Sequence, residues 1–257
     1  MSFIFDIYIP GVSFLHNLDP RVKLWGALCS VVMLFWLPGV LLPAILLSLF
    51  HLVLLLAGVS ACRLLKLWRQ MAVLVALILF LQPFFHPDGR EIFALGPLRL
   101  TFEGIYDALR LAIRAMGFAF ALAIVLFTTE HPMLVLAFVR LGLPYTWGLT
   151  ISLALRFLPA IQNLFHAIRD AQASRGWIAS GGMFKRFREY FPVLIAVIVG
   201  TLRMSDQLTL ALAARGLDTS EQRTRWRDLH MRTSDWAWTA ILTLGFAGFI
   251  LWRIVVS

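Results

Sequence analysis

The chain has 257 residues, of which 60% are hydrophobic and only 14% charged, and its mean hydropathy is +0.81. This composition excludes an ordinary soluble domain, and apolar runs near spanning length recur, so the class is a polytopic membrane protein in contact with the lipid bilayer. A net charge of +9 points to cytoplasmic loops facing anionic lipid rather than to nucleic acid.

In chain order, "LDPRVKLW" opens the first span, with Asp19 as N-cap and Pro20 at the first helical position. The apolar run from about Val22 to Leu37 is broken by "LPG", and a second run, about Val40 to Val59, follows with almost no loop. "ACRLLKLWRQ" places Arg63, Lys66 and Arg69 at helical spacing in a basic loop before a third span, about Met71 to Phe85. "HPDGREIFALGPLRL" reads as a mixed-charge loop with room for a short hairpin. A fourth helix runs from about Phe102, capped by Thr101, to Phe127. The basic N-terminal segment and the basic second loop are expected on the cytoplasmic side. The N-terminus lacks the pattern of a cleaved signal peptide. Cys29 and Cys62 suggest neither a metal pattern nor a disulfide framework.

From Glu130 to Asp235 the character changes: this stretch holds 13 of the 23 Lys and Arg and 8 of the 14 Asp and Glu. The expected division is a four-helix membrane region over 1–128, a charged but oily coupling region over 129–235, and a closing membrane helix over 236–257 with its apolar run from Trp236 to Trp252. The middle region is helical. A short helix ends at "LGLP", a long one runs from Pro144 to Gly176, "GWIASGGM" makes a turn, and a second long helix covers about Phe184 to Gly216. Each long helix measures roughly 48 Å at 1.5 Å per residue, more than one crossing needs. Mid-helix charges (Arg156, Arg169 and Asp170 on one, Arg203 and Asp206 on the other) are costly against lipid. We therefore expect the two helices to lie along the cytoplasmic interface as an antiparallel or crossed pair. Ala167 and Ala171 on the first, with Ala196 and Gly200 on the second, offer close packing, and Pro159 and Pro192 predict kinks.

Both long helices end alike, in "AQASRGW" and "ALAARGL". A Gly after a helix is the commonest stop, and Arg in the last turn suits the helix dipole, so one Arg-Gly pair has a purely structural explanation. Two copies, each preceded by a small residue, ask for more. An arginine entering a partner's pocket brings five planar donors that match a carboxylate, and a small neighbour lets the partner approach.

At this point the chain resembles the transmembrane T component of energy-coupling factor (ECF) transporters. The resemblance rests on "LDPRVKL", "TTEHPMLVLAFVRLGLP", "LALRFLPAI", "AQASRG" and "ALAARG" in this order, and it covers nearly the whole chain. It implies an all-α fold of about five transmembrane helices plus a cytoplasmic-side coupling domain of one short and two long crossed helices. It also implies a multi-pass protein of a prokaryotic plasma membrane that serves an importer of vitamins or metal ions. Two ABC ATPase subunits, identical or not, would dock on Ser174-Arg175-Gly176 and Ala214-Arg215-Gly216, with Ser174 departing from the family's Ala. A substrate-binding membrane S component would sit against the N-terminal helices. No cofactor is implied.

Arg156 reads as a structural charge, an ion-pair partner or a headgroup contact. Asp107, Arg110 and Arg114 recur at i, i+3, i+7 on the fourth helix and read as a local ion pair with snorkelling. The histidines are expected in loops or at the interface, the tryptophans as interface anchors, and "SEQRTRWRDLHMR" as a basic linker facing lipid. GxxxxGK[ST], HExxH and GxSxG are all absent, so no nucleotide loop or catalytic motif is present. Two other readings stay open. An ordinary ABC permease usually presents one docking loop rather than two. An intramembrane enzyme needs a convergent acid-base or metal cluster, which the sequence does not display.

Overall fold

The computed structural model describes residues 8–11, 13–84, 91–95, 98–176, 182–216 and 229–256. The "GWIASGGM" turn and the basic linker before Asp228 lie mostly outside them. In chain order the elements are α1 (Phe14–Asn17), α2 (Pro20–Trp36), α3 (Leu41–Leu56), α4 (Ala61–Leu81), a 3₁₀ turn (Gln82–Phe84), β1 (Glu91–Leu95), β2 (Leu98–Thr101), α5 (Phe102–Thr128), α6 (His131–Arg140), α7 (Tyr145–Ser174), α8 (Met183–Ala214) and α9 (Thr233–Val256). The strands pair antiparallel, with Leu95 opposite Leu98 and Glu91 opposite Thr101.

Local signals set several boundaries as the sequence reads. The Asp19 carboxylate accepts from the Arg21 N–H at 2.9 Å, capping α2 ahead of Pro20. Thr101 Oγ1 accepts from the Gly104 N–H at 3.2 Å and starts α5. The basic loop before the third span is instead helix: α4 begins at Ala61, so Arg63, Lys66 and Arg69 occupy its first turns. Their spacing was already helical, and nothing between Ala61 and Leu81 breaks the run.

Five helices are long and apolar enough to cross a membrane, over Ala61–Phe84, Phe102–Thr128, Tyr145–Ser174, Arg188–Ala214 and Thr233–Val255. By length and apolarity alone, this set includes α7 and α8 and leaves out the shorter α2 and α3. α2 and α3 have 17 and 16 residues, at the short end for a crossing. α7 and α8 reach spanning length and apolarity despite their mid-helix charges.

The chain divides into two units, Met1–Gly142 with Leu229–Ser257, and Leu143–Asp228. In the first unit α5 is the hub, packed against α2, α3 and α4, while α9 packs on α2. Leu34, Leu47, Phe50, Leu54, Met116 and Phe120 form its buried core. Gly117 lets α2 approach: a Cβ there would stand 2.7 Å from Leu34 Cδ1. His51, expected at an interface or loop, sits within α3, its ring 4.1 Å from that of Phe120. Its Nδ1 donates to the Leu47 carbonyl at 2.8 Å, and its Nε2 accepts from Trp68 Nε1 at 2.8 Å. Both ring nitrogens are thereby satisfied in a largely apolar bundle.

In the second unit α7 packs on α8, and both helices run through their internal prolines, Pro159 and Pro192. Val193, Ala196, Val197 and Gly200 follow one helical stripe of α8, and the two valines are buried. A Cβ at Gly200 would lie 2.8 Å from Leu164 Cδ2. The close approach at Gly200 is therefore made by Leu164, while Ala167 and Ala171 of α7 are exposed.

Candidate functional site: the paired helix ends

α7 and α8 stop in the same way. Arg175 has φ −88° and ψ 13°, and Arg215 has φ −89° and ψ 9°. Each is followed by a left-handed glycine, Gly176 at φ 83° and Gly216 at φ 74°. Any side chain at these two positions would be strained, which is why the stop requires glycine. The backbone bonds match as well: Gly176 N–H donates to the Ala173 carbonyl at 3.0 Å, and Gly216 N–H to the Ala213 carbonyl at 2.9 Å.

The side chains around the two stops are small and solvent-facing. Ser174 and Ala214 are exposed, as are Arg175 and Arg215. The Ser174 hydroxyl donates to the Asp170 carbonyl of its own helix at 3.0 Å, so it offers a partner little that Ala would not. Among the described residues neither Arg175 nor Arg215 takes part in an ion pair, although Arg169 pairs with Asp170 at 3.0 Å one turn earlier. Each end thus presents a charged, unengaged fork on a rigid, glycine-terminated helix. Such a fork can accept a carboxylate or phosphate in two parallel hydrogen bonds.

The other sequence-selected charges lie elsewhere. Arg156 is exposed on α7. Arg114 is partly buried on α5, and its Nη2 donates to the Leu37 carbonyl at 2.8 Å. Arg110 faces Asp107 at 3.7 Å. Among the described residues no group of three or more His, Cys, Asp or Glu is placed to hold a metal ion.

The model for the CbiQ family, described as cobalt transport protein, matches residues 11–226. The chain belongs to the CbiQ family. Two relatives named energy-coupling factor transporter transmembrane protein EcfT cover almost all of it. One, from Thermosediminibacter oceani, is 30% identical over 96% of this chain and 97% of its own. The other, from Limosilactobacillus fermentum, is 29% identical over 98% of both. A Bifidobacterium longum protein named as an ABC transporter ATP-binding protein is 31% identical over 94% of this chain, but the match spans only 32% of that longer polypeptide. This CbiQ-family chain is the transmembrane T component of an ECF transporter, a transport subunit and a multi-pass membrane protein.

Sequence reasoning passed over one cluster in the T component. Lys23, Asp19, Thr128, Thr129 and Asp235 are all buried polar residues. Lys23 Nζ donates to the Thr128 carbonyl at 2.9 Å, to Thr129 Oγ1 at 3.2 Å and to the His16 carbonyl at 3.4 Å. Asp235 Oδ1 accepts from the Asp19 N–H at 3.3 Å, and its Oδ2 accepts from the Arg232 N–H at 2.8 Å, the reach-back of a capping box. Arg21 Nη2 donates to the Leu229 carbonyl at 3.4 Å. The "LDPRVKL" motif therefore ties α2 to the end of α5 and the start of α9. A Lys just inside an apolar run was the available signal; its partners Thr128 and Thr129, over a hundred residues away, gave none.

Proposed function

We propose that this T component is a non-catalytic coupling scaffold of an importer for vitamins or metal ions, gripping two ABC ATPases through Arg175 and Arg215. The carrying observation is the near-identity of the two helix ends in backbone, small neighbour and charge. One chain that must hold two similar subunits needs two similar contacts, whereas a simple helix stop is served equally well by Lys or His in the last turn. The Bifidobacterium longum relative, with a T-like stretch inside a polypeptide named for ATP binding, supports a partnership between these parts. On this reading the ATP-hydrolysing motor lies in the partners, and an S component bound to the N-terminal helices selects the substrate. The N-terminus and residues 129–235 face the cytoplasm, with 1–128 and 236–257 as the membrane regions and Ala167, Ala171, Ala196 and Gly200 as close-packing positions of the coupling helices.

Co-purification tests the scaffold: the tagged chain should bring down two ATPase subunits and a small membrane protein. Recovery of the chain alone from membranes where the whole transporter works would overturn it. Cysteine labelling of sealed cells tests the orientation, with a probe at Asp88 reached from outside and one at Gly181 protected.

A further inference from the structure

At the end of α2 remote from the Lys23 cluster, the first unit holds a cavity of about 530 Å³. Its lining includes Phe35, Trp36, Arg110, Arg114, Arg253 and Ile254. Three guanidinium groups, from α5 and the last turn of α9, therefore share one opening. Among the described residues they make a single ion pair, Arg110 with Asp107 at 3.7 Å. Arg114 spends one nitrogen on the Leu37 carbonyl, and its Nε is buried without a hydrogen-bond partner. The site is thus rich in positive charge, and three clustered guanidinium groups favour an anion among them.

Its walls limit what can fill it. Phe35, Trp36 and Ile254 expose apolar surface around it. Three arginines beside exposed apolar side chains in a membrane protein suit an amphiphile with an anionic headgroup.

We propose that Arg110, Arg114 and Arg253 form a binding site for the phosphate headgroup of an anionic phospholipid. The guanidinium forks pair with phosphate oxygens. The first carbons of the lipid run along Phe35, Trp36 and Ile254. An anion here offsets arginines that are costly near hydrocarbon and ties the α2–α3 turn to the end of α9.

The test is native mass spectrometry of the purified transporter in mild detergent with added phosphatidylglycerol or phosphatidylcholine. The wild type should retain one phosphatidylglycerol more than R253Q, with affinity lowered about tenfold in the variant, as expected for losing one charge-assisted contact. Phosphatidylcholine should show no such difference. R114Q should lose the same lipid, but it also frees the Leu37 carbonyl, so R253Q carries the test if R114Q misfolds. Equal retention of phosphatidylglycerol by wild type and R253Q overturns the proposal. So does displacement of the lipid by millimolar inorganic phosphate, which would mark a free-anion site. Release of the S component by R253Q without any lipid preference would assign the cavity to a protein carboxylate and overturn it equally.

Discussion

α5 and the α7–α8 pair are both apolar enough to cross a membrane, yet their surroundings differ sharply. In the most apolar stretch of α5, 44% of residues are buried within the chain; in α7 none are, and in α8 6%. α5 spends its apolar surface on α2, α3 and α4. α7 and α8 keep theirs, and they add exposed mid-helix charges at Arg156, Arg203 and Asp206. α4 and α9 are also little buried (6% and 0%), but α9 keeps its charges in its first and last turns, and α4 carries none in the twelve residues after Arg69. Exposed apolar surface mixed with mid-helix charge suits a protein partner better than lipid. The hub spends its apolar surface internally, and the paired helices keep theirs, as the proposed subunit contacts require.

Mutations break or sharpen this contrast, and the largest effect is expected at the helix ends. Truncating one arginine of a buried charge pair costs about 2–5 kcal/mol. The double change Arg175→Ala with Arg215→Ala should therefore nearly abolish ATPase assembly and transport while leaving the thermal stability of the isolated chain unchanged. Lys at both positions should restore assembly only in part, because it keeps the charge but loses the planar fork. Complex yield and uptake at matched expression provide the measurement. Normal assembly in the double Ala variant would reduce the repeated Arg-Gly to a way of ending a helix.

Within the hub, Lys23→Met should behave in the opposite way. It strands the Thr128 carbonyl, a buried acceptor, at a cost of about 1–3 kcal/mol. Thermal unfolding in detergent should show the loss directly, before any ATPase is added. A comparison of two glycines follows. Gly117→Ala forces a Cβ to within 2.7 and 2.8 Å of both methyls of the fully buried Leu34, at a cost of about 1–3 kcal/mol. Gly200→Ala meets one methyl of the half-buried Leu164 at 2.8 Å, and its next atom lies at 3.6 Å. Leu164 can turn aside, and Ala gains up to about 1 kcal/mol of helix propensity, so the net change should be close to zero. Equal destabilisation by both would mean that α7 and α8 are packed as firmly as the hub. The smallest effect belongs to Ser174→Ala. The hydroxyl is already bonded within α7, so stability and ATPase docking should stay within about 0.5 kcal/mol.

Legibility in the sequence followed the range of the forces involved. Short-range chemistry read well: Asp19 and Pro20 start α2, Thr101 starts α5, and the two Arg-Gly ends close α7 and α8 within two residues of expectation. Span membership is less legible, because apolarity alone cannot distinguish lipid from a protein neighbour. α2 and α3 look like ordinary spans but are short, and α7 and α8 look too charged yet pass on length. The small-residue rule found Gly200 but not Leu164, since a large side chain filling the groove left by a glycine has no local signature. Lys23, Asp235 and His51 were missed for a similar reason. Their burial depends on partners from distant helices, and a single polar residue in an apolar run does not name them.

The Lys23 cluster also bears on the order of synthesis. Lys23 and Thr128 are 105 residues apart, and Asp19 and Asp235 are 216 apart. At about 5–20 residues per second of translation, Asp19 waits on the order of ten seconds or more before its last partner exists. Until then its backbone N–H and the neighbouring arginine depend on water or lipid headgroups. The whole Leu143–Asp228 unit is made within that interval. The first unit is therefore completed only after α7 and α8 have been made, so a nascent chain halted before α9 would carry both helix ends while the Asp19 contact to α9 is still missing.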